Sequence, residues 1–205
     1  MTDPESFVRF CESEFGSTVM DREAAYVKEH VDSDDRILDV GCGIGSLEER
    51  FTEYDIVGVD RSPEMVRTAR QRAPPPFLVG DARELPIATD AVDTVVFVAT
   101  LEFIPELDAA IDETTRVVDP DGTVIALVLN TRSEYVQSNL EREGSYFQRM
   151  AHCDTEALAE RLLTNIDGTK EYFLGIEDET VFESADPNTA AITAVVGTPT
   201  GGSQR

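Results

Sequence analysis

Apolar residues in this chain gather in short, β-branched runs separated by longer mixed stretches. The runs are Ile37-Leu38-Asp39-Val40, Ile56-Val57-Gly58-Val59, Phe77-Leu78-Val79 and Val95-Val96-Phe97-Val98. Each is short and continuous enough to be a strand buried on both faces. Residues 46–54 and 63–72 between them are long enough for crossover helices, so strand and helix alternate as in a doubly wound, Rossmann-like α/β sheet. Upstream, Met20, Ala24, Val27 and Val31 recur at helical spacing within residues 6–31 and predict a helical cap ahead of the first strand. Downstream, a helix is expected over residues 105–118, then the turn Asp119-Pro120-Asp121-Gly122 and a very apolar fifth strand, residues 123–129. Residues 130–153 are polar and aromatic-bearing and read, with a helix over 155–163, as a lid-like insertion. Two further strands are expected at 171–176, extending to 182, and at 190–196, with a frayed tail over 200–205. The whole reads as one domain: a cap (1–31), a core (32–129), the insertion and helix (130–165) and C-terminal strands (166–199).

Four carboxylates, Asp39, Asp60, Asp81 and Glu102, follow one another at a 21-residue step, each at or just beyond the end of an apolar run. Parallel strands end on one edge of the sheet, and ligands bind there, where the strand order reverses. Acids along that edge suit a polar, cationic ligand. The first run leads into Gly41-Cys42-Gly43-Ile44-Gly45, with a helix expected from Ser46; glycines there let the backbone turn tightly and approach a ligand closely. Asp60 follows Gly41 by 19 residues and closes the second strand, where a carboxylate can accept from ribose hydroxyls. Glycine turn and acid together indicate an adenosine-containing ligand. A dinucleotide fingerprint would place a glycine or alanine where this chain has Ser46, and Asp39 would set an anion beside a pyrophosphate. S-adenosylmethionine brings an ammonium and a sulfonium to that place instead. Asp81 then stands where its side chain can accept from an adenine amino group.

Composition narrows the setting. The chain has 205 residues, 41% of them hydrophobic, which suffices for one sizeable core. No apolar stretch approaches the roughly 20 residues of a membrane span, and the first residues lack the basic and apolar regions of a signal peptide, so a cytoplasmic location is expected. Cys11, Cys42 and Cys153 are widely separated and lack metal-ligand spacing, which predicts neither disulfide nor metal site. The formal charge is −24, spread along the chain, with Lys28 and Lys170 the only lysines. Such a surface resembles a halophile's: at molar salt, with a Debye length of about 3 Å, its self-repulsion is screened. No cluster of Lys and Arg offers a phosphate-binding face, which argues against nucleic acid as a partner.

With these residues in view, the chain resembles the class I S-adenosylmethionine-dependent methyltransferases, and among them the small-molecule group that includes the ubiquinone and menaquinone biosynthesis methyltransferases. The resemblance runs from Arg36 to Leu129 through Ile37 to Gly45, Val57 to Met65, Gly80-Asp81-Ala82 with Leu85-Pro86, Asp93 to Val96, and Val118 to Thr123. It implies a sheet of seven strands, mostly parallel, with an antiparallel last strand and the cofactor across its carboxyl edge. It also implies that Asp60 binds the ribose, Asp81 with Ala82 the adenine, and Asp39, Gly41 and Gly43 the methionine end, with Ser62 and Met65 near the adenosine. Cys42, Gly45 and Arg61 complete the expected cofactor-binding set. Where many relatives carry Leu-Glu-His, this chain has Thr100-Leu101-Glu102-Phe103. A general base for a hydroxyl acceptor would then be sought among Glu102, His152, Tyr135 and Tyr146. The Asn- or Asp-Pro-Pro-Tyr pattern of base and glutamine methylation does not stand at this position. The expected function is methyl transfer to a small-molecule acceptor. Two alternatives stay open: a binding module that keeps the cofactor without turnover, and a nicotinamide-dependent oxidoreductase.

Overall fold

A computed structural model of the chain describes residues 4–74 and 76–200. Residues 201–205, most of the expected frayed tail, lie outside the described residues. Eight strands form a single sheet: β1 (Arg36–Val40), β2 (Asp55–Asp60), β3 (Phe77–Val79), β4 (Val92–Val98), β5 (Val118–Leu129), β6 (Ile166–Glu177), β7 (Thr180–Phe182) and β8 (Ala190–Pro199), in the order β3-β2-β1-β4-β5-β8-β6-β7. The first five are parallel, and β8 enters antiparallel between β5 and β6. The expected antiparallel last strand is therefore present, while the expected count of seven is corrected to eight. The extra strand comes from the stretch read as one strand extending to residue 182: β6 and β7 pair as a hairpin with Glu177 opposite Thr180. Its two-residue turn, Asp178-Glu179, has φ of 45° and 60°. That is the conformation tight hairpins need, made here without the glycine that would have signalled it.

Among the described residues, six α-helices pack around the sheet: α1 (Pro4–Glu12), α2 (Glu14–Lys28), α3 (Pro63–Arg72), α4 (Leu107–Val117), α5 (Glu134–Glu141) and α6 (Thr155–Leu163). The N-terminal cap is thus two helices rather than one, broken at Ser13, whose hydroxyl caps α2 by accepting from the Gly16 N–H at 3.0 Å. The crossover after β1 also departs from expectation. Residues 43–50 form successive turns instead of a regular helix. The Arg50 guanidinium takes the Ser46 carbonyl at 2.9 Å, and the Arg50 N–H turns to Leu47, so the regular i→i−4 ladder is diverted. The Asp119-Pro120-Asp121-Gly122 turn exists, but as an irregularity inside β5: Val92 pairs with Val118, and two residues later Thr94 pairs with Thr123.

Alternation along the strands divides the core into two layers. Leu38, Val40, Val95, Phe97, Val124, Ala126 and Val128 face α4 and α6 through Ile111, Leu158 and Leu162. Ile37, Ile56, Val96, Ile125 and Leu127 face the other way, toward Val27 of α2 and Phe51. The central strands β1, β4 and β5 are covered on both faces, which accounts for their unbroken apolar runs. Each fully buried Leu, Ile or Val contributes on the order of 1.5–3 kcal/mol. A rigid sheet results, and its carboxyl edge is free to carry a site. Among the described residues, no helix is long and apolar enough to cross a membrane.

Candidate functional site

The chain runs outward from β1 to β2 and β3, then returns past β1 to β4, so the strand order reverses between β1 and β4. A cavity of about 550 Å³ opens there at the carboxyl ends of the strands. Its floor comes from residues after β1 to β5, and its cover comes from α1, α2, residues 135–149 and the two C-terminal strands β6 and β8.

The glycine turn forms one end. Gly41, Gly43 and Gly45 all have positive φ, at 85°, 55° and 80°. A Cβ on Gly41 would lie 2.3 Å from Thr100 Cγ2, so only glycine fits between β1 and the end of β4. The turn is tied to β2 twice over. Val59 O accepts from the N–H groups of Gly41 and Cys42 at 2.7 and 3.1 Å. Asp60 Oδ2 accepts from Gly43 N–H at 3.0 Å, while its Oδ1 accepts from Ser62 N–H at 2.8 Å, at the start of α3. Each Asp60 oxygen keeps a lone pair for a ligand hydroxyl. Burial raises the Asp60 pKa, and the two N–H bonds oppose that rise.

Asp39 lies beside Asp60 on the cavity wall, 3% exposed, and its carboxyl makes no hydrogen bond to a described residue. Desolvation, reinforced by Asp60, pushes its pKa up. A buried acid without a partner is costly until a cationic group meets it. Glu48 lies beneath the turn, fully buried with neither carboxyl oxygen partnered, and its pKa is raised by burial and then by Asp39. Burial and the nearby acids Asp39, Glu48 and Asp60 drive the Cys42 thiol far up, so it stays protonated and inert as a nucleophile.

Of the residues expected to hold the cofactor, Asp39, Gly41, Cys42, Gly43, Asp60, Arg61, Met65, Asp81 and Ala82 all line this one cavity. Gly45 does not. Its Cβ position meets Phe77 at 3.0 Å and Ala69 at 3.3 Å, so its role is close packing of α3 and β3 behind the turn. Asp81 is held by Arg83: Oδ1 accepts from Arg83 Nε at 2.9 Å and Oδ2 from Nη2 at 2.7 Å, and this pairing lowers its pKa to about 2. A ligand amino group reaching Asp81 must share it with that guanidinium.

The four candidate bases separate. Tyr135 and Tyr146 line the cavity, Tyr146 stacked on Phe103 with ring centroids 4.5 Å apart. Glu102 is not on the wall. It is fully buried in the 3₁₀ turn Leu101–Phe103, where Oε1 accepts from Leu129 N–H at 3.0 Å and its carbonyl accepts from Ala151 and His152. Its Oε2 has no partner, and burial lifts its pKa to about 7. His152 lies in a separate hollow with Cys153 and Arg161, its Nε2 2.8 Å from the Ile104 carbonyl oxygen. Neither Glu102 nor His152 is placed to take a proton in the cavity.

Sequence reasoning missed Glu23. It sits on α2, 4% exposed, on the cavity wall, with Oε2 unpartnered. A signal was there: Glu23 falls on the same stripe as Met20, Ala24 and Val27, an acid on a buried face. Two wall residues, Ala99 and Leu174, have φ of 45° and 67°, backbone strain of the kind that gathers at ligand sites.

Residues 38–126 match the family model described as a methyltransferase domain. An uncharacterised methyltransferase of Mycobacterium bovis is 38% identical over 102 residues, 48% of this chain and 41% of that protein. A demethylmenaquinone methyltransferase of Renibacterium salmoninarum is 33% identical over 93 residues, 44% of this chain and 39% of that protein. The chain thus spans less than half the length of these curated relatives. The solved structure of a Thermotoga maritima protein, described as an S-adenosylmethionine-dependent methyltransferase and possible histamine N-methyltransferase, superposes with a TM-score of 0.80. At 20% identity it covers 95% of this chain and 94% of its own, and that likeness establishes the fold.

Proposed function

We propose that this chain, whose residues 38–126 match the methyltransferase-domain model, is a class I S-adenosylmethionine-dependent methyltransferase and transfers a methyl group to a small-molecule acceptor held in the same cavity. One observation carries the reading: Asp60 locks the glycine turn through Gly43 while the unpartnered Asp39 stands beside it on the cavity wall. Asp60 then takes the ribose hydroxyls, Asp39 the ammonium, and Asp81 with Ala82 the adenine. The bound cofactor supplies a methyl group on a sulfonium, already activated for in-line displacement, so the protein needs to align the acceptor and exclude water. Phe7 and Phe10 of α1, and Tyr135, Tyr146 and Phe147 of the insertion, cover the cavity and serve that exclusion. We read the insertion as a lid and the aromatic cover over the cavity as support for a small acceptor over nucleic acid. Tyr135 and Tyr146 are the better-placed candidates for a base, because both line the cavity while Glu102 and His152 are off the wall.

The acidic surface supports a protein that works at high salt, with unfolding midpoints that rise with KCl concentration. Free Cys11, Cys42 and Cys153 are in keeping with a reducing cytoplasm. Incubation with methyl-labelled S-adenosylmethionine and a metabolite extract in multimolar KCl tests the activity. Labelled small-molecule product is expected; binding of the cofactor with no labelled product from any extract would leave a binding module instead.

A further inference from the structure

The cavity has two unlike ends. One is the acidic glycine turn. The other is walled by apolar and aromatic side chains that pack together, including Val19, Phe103, Tyr135, Phe147 and Ile192. Into this second end α2 brings Glu23, a carboxyl more than nine-tenths buried whose Oε2 has no hydrogen-bond partner. Glu102 lies near enough behind it to raise its pKa further, and it too has a free Oε2. Arg50 is the cation that favours the charged form, but its guanidinium is already bound to Asp21, the Ser46 carbonyl and Ser17. The wall's own cations are Arg61 and Arg83 toward the glycine-turn end, Arg83 paired with Asp81 and Glu106, and Arg142 and Arg149 on the insertion: Arg142 donates to Asn139 Oδ1 at 2.6 Å, and Arg149 stands 5.9 Å from the Tyr146 ring centroid. The two buried acids of this end, Glu23 and Glu102, therefore have no ion-pair partner among the described residues, and Arg142 is bound only to the neutral Asn139 amide.

We infer that Glu23 is the anchor for the acceptor, and that the acceptor carries an amino group, received as the ammonium between Glu23 and the aromatic wall. This rests on the methyltransferase reading and adds to it the acceptor's chemical class. An ammonium supplies the donor that the Glu23 carboxyl lacks, gains from the second acid behind it, and is favoured over ring faces. A neutral ring would fill the apolar wall but leave the acid unpaired, and a carboxylate could be received only by the protonated acid, without the charge-assisted pair an ammonium makes. Burial holds Glu23 protonated at neutral pH, with Glu102 reinforcing that and Arg50 opposing it, so an ammonium that pairs with Glu23 releases its proton.

Three probes of one shape decide it: phenethylamine, 2-phenylethanol and 3-phenylpropionate, each titrated calorimetrically into the whole chain saturated with S-adenosylhomocysteine in multimolar KCl. The amine is expected to bind best, with a proton released at pH 7 when buffers of different ionisation enthalpy are compared. In Glu23→Gln the amine should weaken about tenfold, the loss of a charge-assisted bond, while the alcohol is unchanged. S-adenosylhomocysteine affinity, equal in both proteins, shows that the variant is folded. Should the variant not fold, the order of the three probes on the wild type decides alone. The inference is overturned if the alcohol or the carboxylate binds as well as the amine, if none binds while S-adenosylhomocysteine does, or if Glu23→Gln leaves amine binding intact. Failure of S-adenosylhomocysteine to bind would instead sink the methyltransferase reading, and this inference with it.

Discussion

Replacing Glu23 by glutamine keeps the side chain's size while removing its titration, and the consequence for stability can be worked from its surroundings. Burial, then repulsion from Glu102, lifts the Glu23 pKa from 4.5 to about 8. In the folded protein the carboxyl therefore keeps its proton over a window in which the unfolded chain has lost it. Below about pH 4.5 both states are protonated; between there and about pH 8 the folded state binds more protons, so stability falls as pH rises; above pH 8 the loss is complete. At 1.36 kcal/mol per pKa unit, the full loss is on the order of 5 kcal/mol, an upper figure because water entering the cavity would lessen it. Glutamine has no such window. Urea unfolding followed by far-ultraviolet circular dichroism at pH 5, 7 and 8.5, at fixed KCl, measures both proteins. Glu23→Gln should gain stability over the wild type steadily from pH 5 to 8.5, by several kcal/mol in all. Parallel stability curves, with a constant difference across that range, would refute the reasoning: Glu23 would then be ordinarily solvated.

Gly41→Ala forces a side chain into φ of 85° and a Cβ 2.3 Å from Thr100, and should lower stability by at least about 1–2 kcal/mol while abolishing S-adenosylhomocysteine binding; calorimetric titration and a thermal midpoint check both. Asn130→Ala removes two 2.7 Å bonds from Nδ2 to the carbonyls of Pro187 and Ala190 and leaves those groups short of a donor. A loss of about 2–4 kcal/mol is expected in urea unfolding, with cofactor affinity unchanged.

What the chain disclosed and what it hid follow from different physics. Strands β1, β4 and β5 were legible because strands covered on both faces must be continuously apolar, and Val124–Leu129 could hardly be anything else, whereas the edge strand β3, read as buried on both faces, leaves Val79 exposed. The glycine turn and Asp60 were legible because a tight turn after one strand and an acid closing the next leave few alternatives. The β6–β7 hairpin was hidden because Asp178 and Glu179 adopt positive φ without glycine. The turns at 43–50 were hidden because the interaction that breaks the helix, Arg50 to the Ser46 carbonyl, is a side-chain choice no periodicity records. Glu102 kept its place in the 21-residue rhythm yet turned inward to cap Leu129, since spacing along the chain says where a residue sits and not which way it faces. Glu23 was hidden for the opposite reason: a single acid within the stripe of Met20, Ala24 and Val27 looks like a residue at the solvent edge of a buried face, and only the fold closes the cavity over it.

Calorimetric titration of S-adenosylhomocysteine in multimolar KCl, with NAD as control and Asp60→Asn alongside, tests the central claim most directly. Asparagine keeps one oxygen to accept from Gly43 or Ser62 but loses the charge a ribose would meet. The account predicts that S-adenosylhomocysteine binds, that NAD does not, and that Asp60→Asn weakens binding at least about tenfold. A demonstrably folded protein that ignores S-adenosylhomocysteine, or takes NAD in its place, would contradict it.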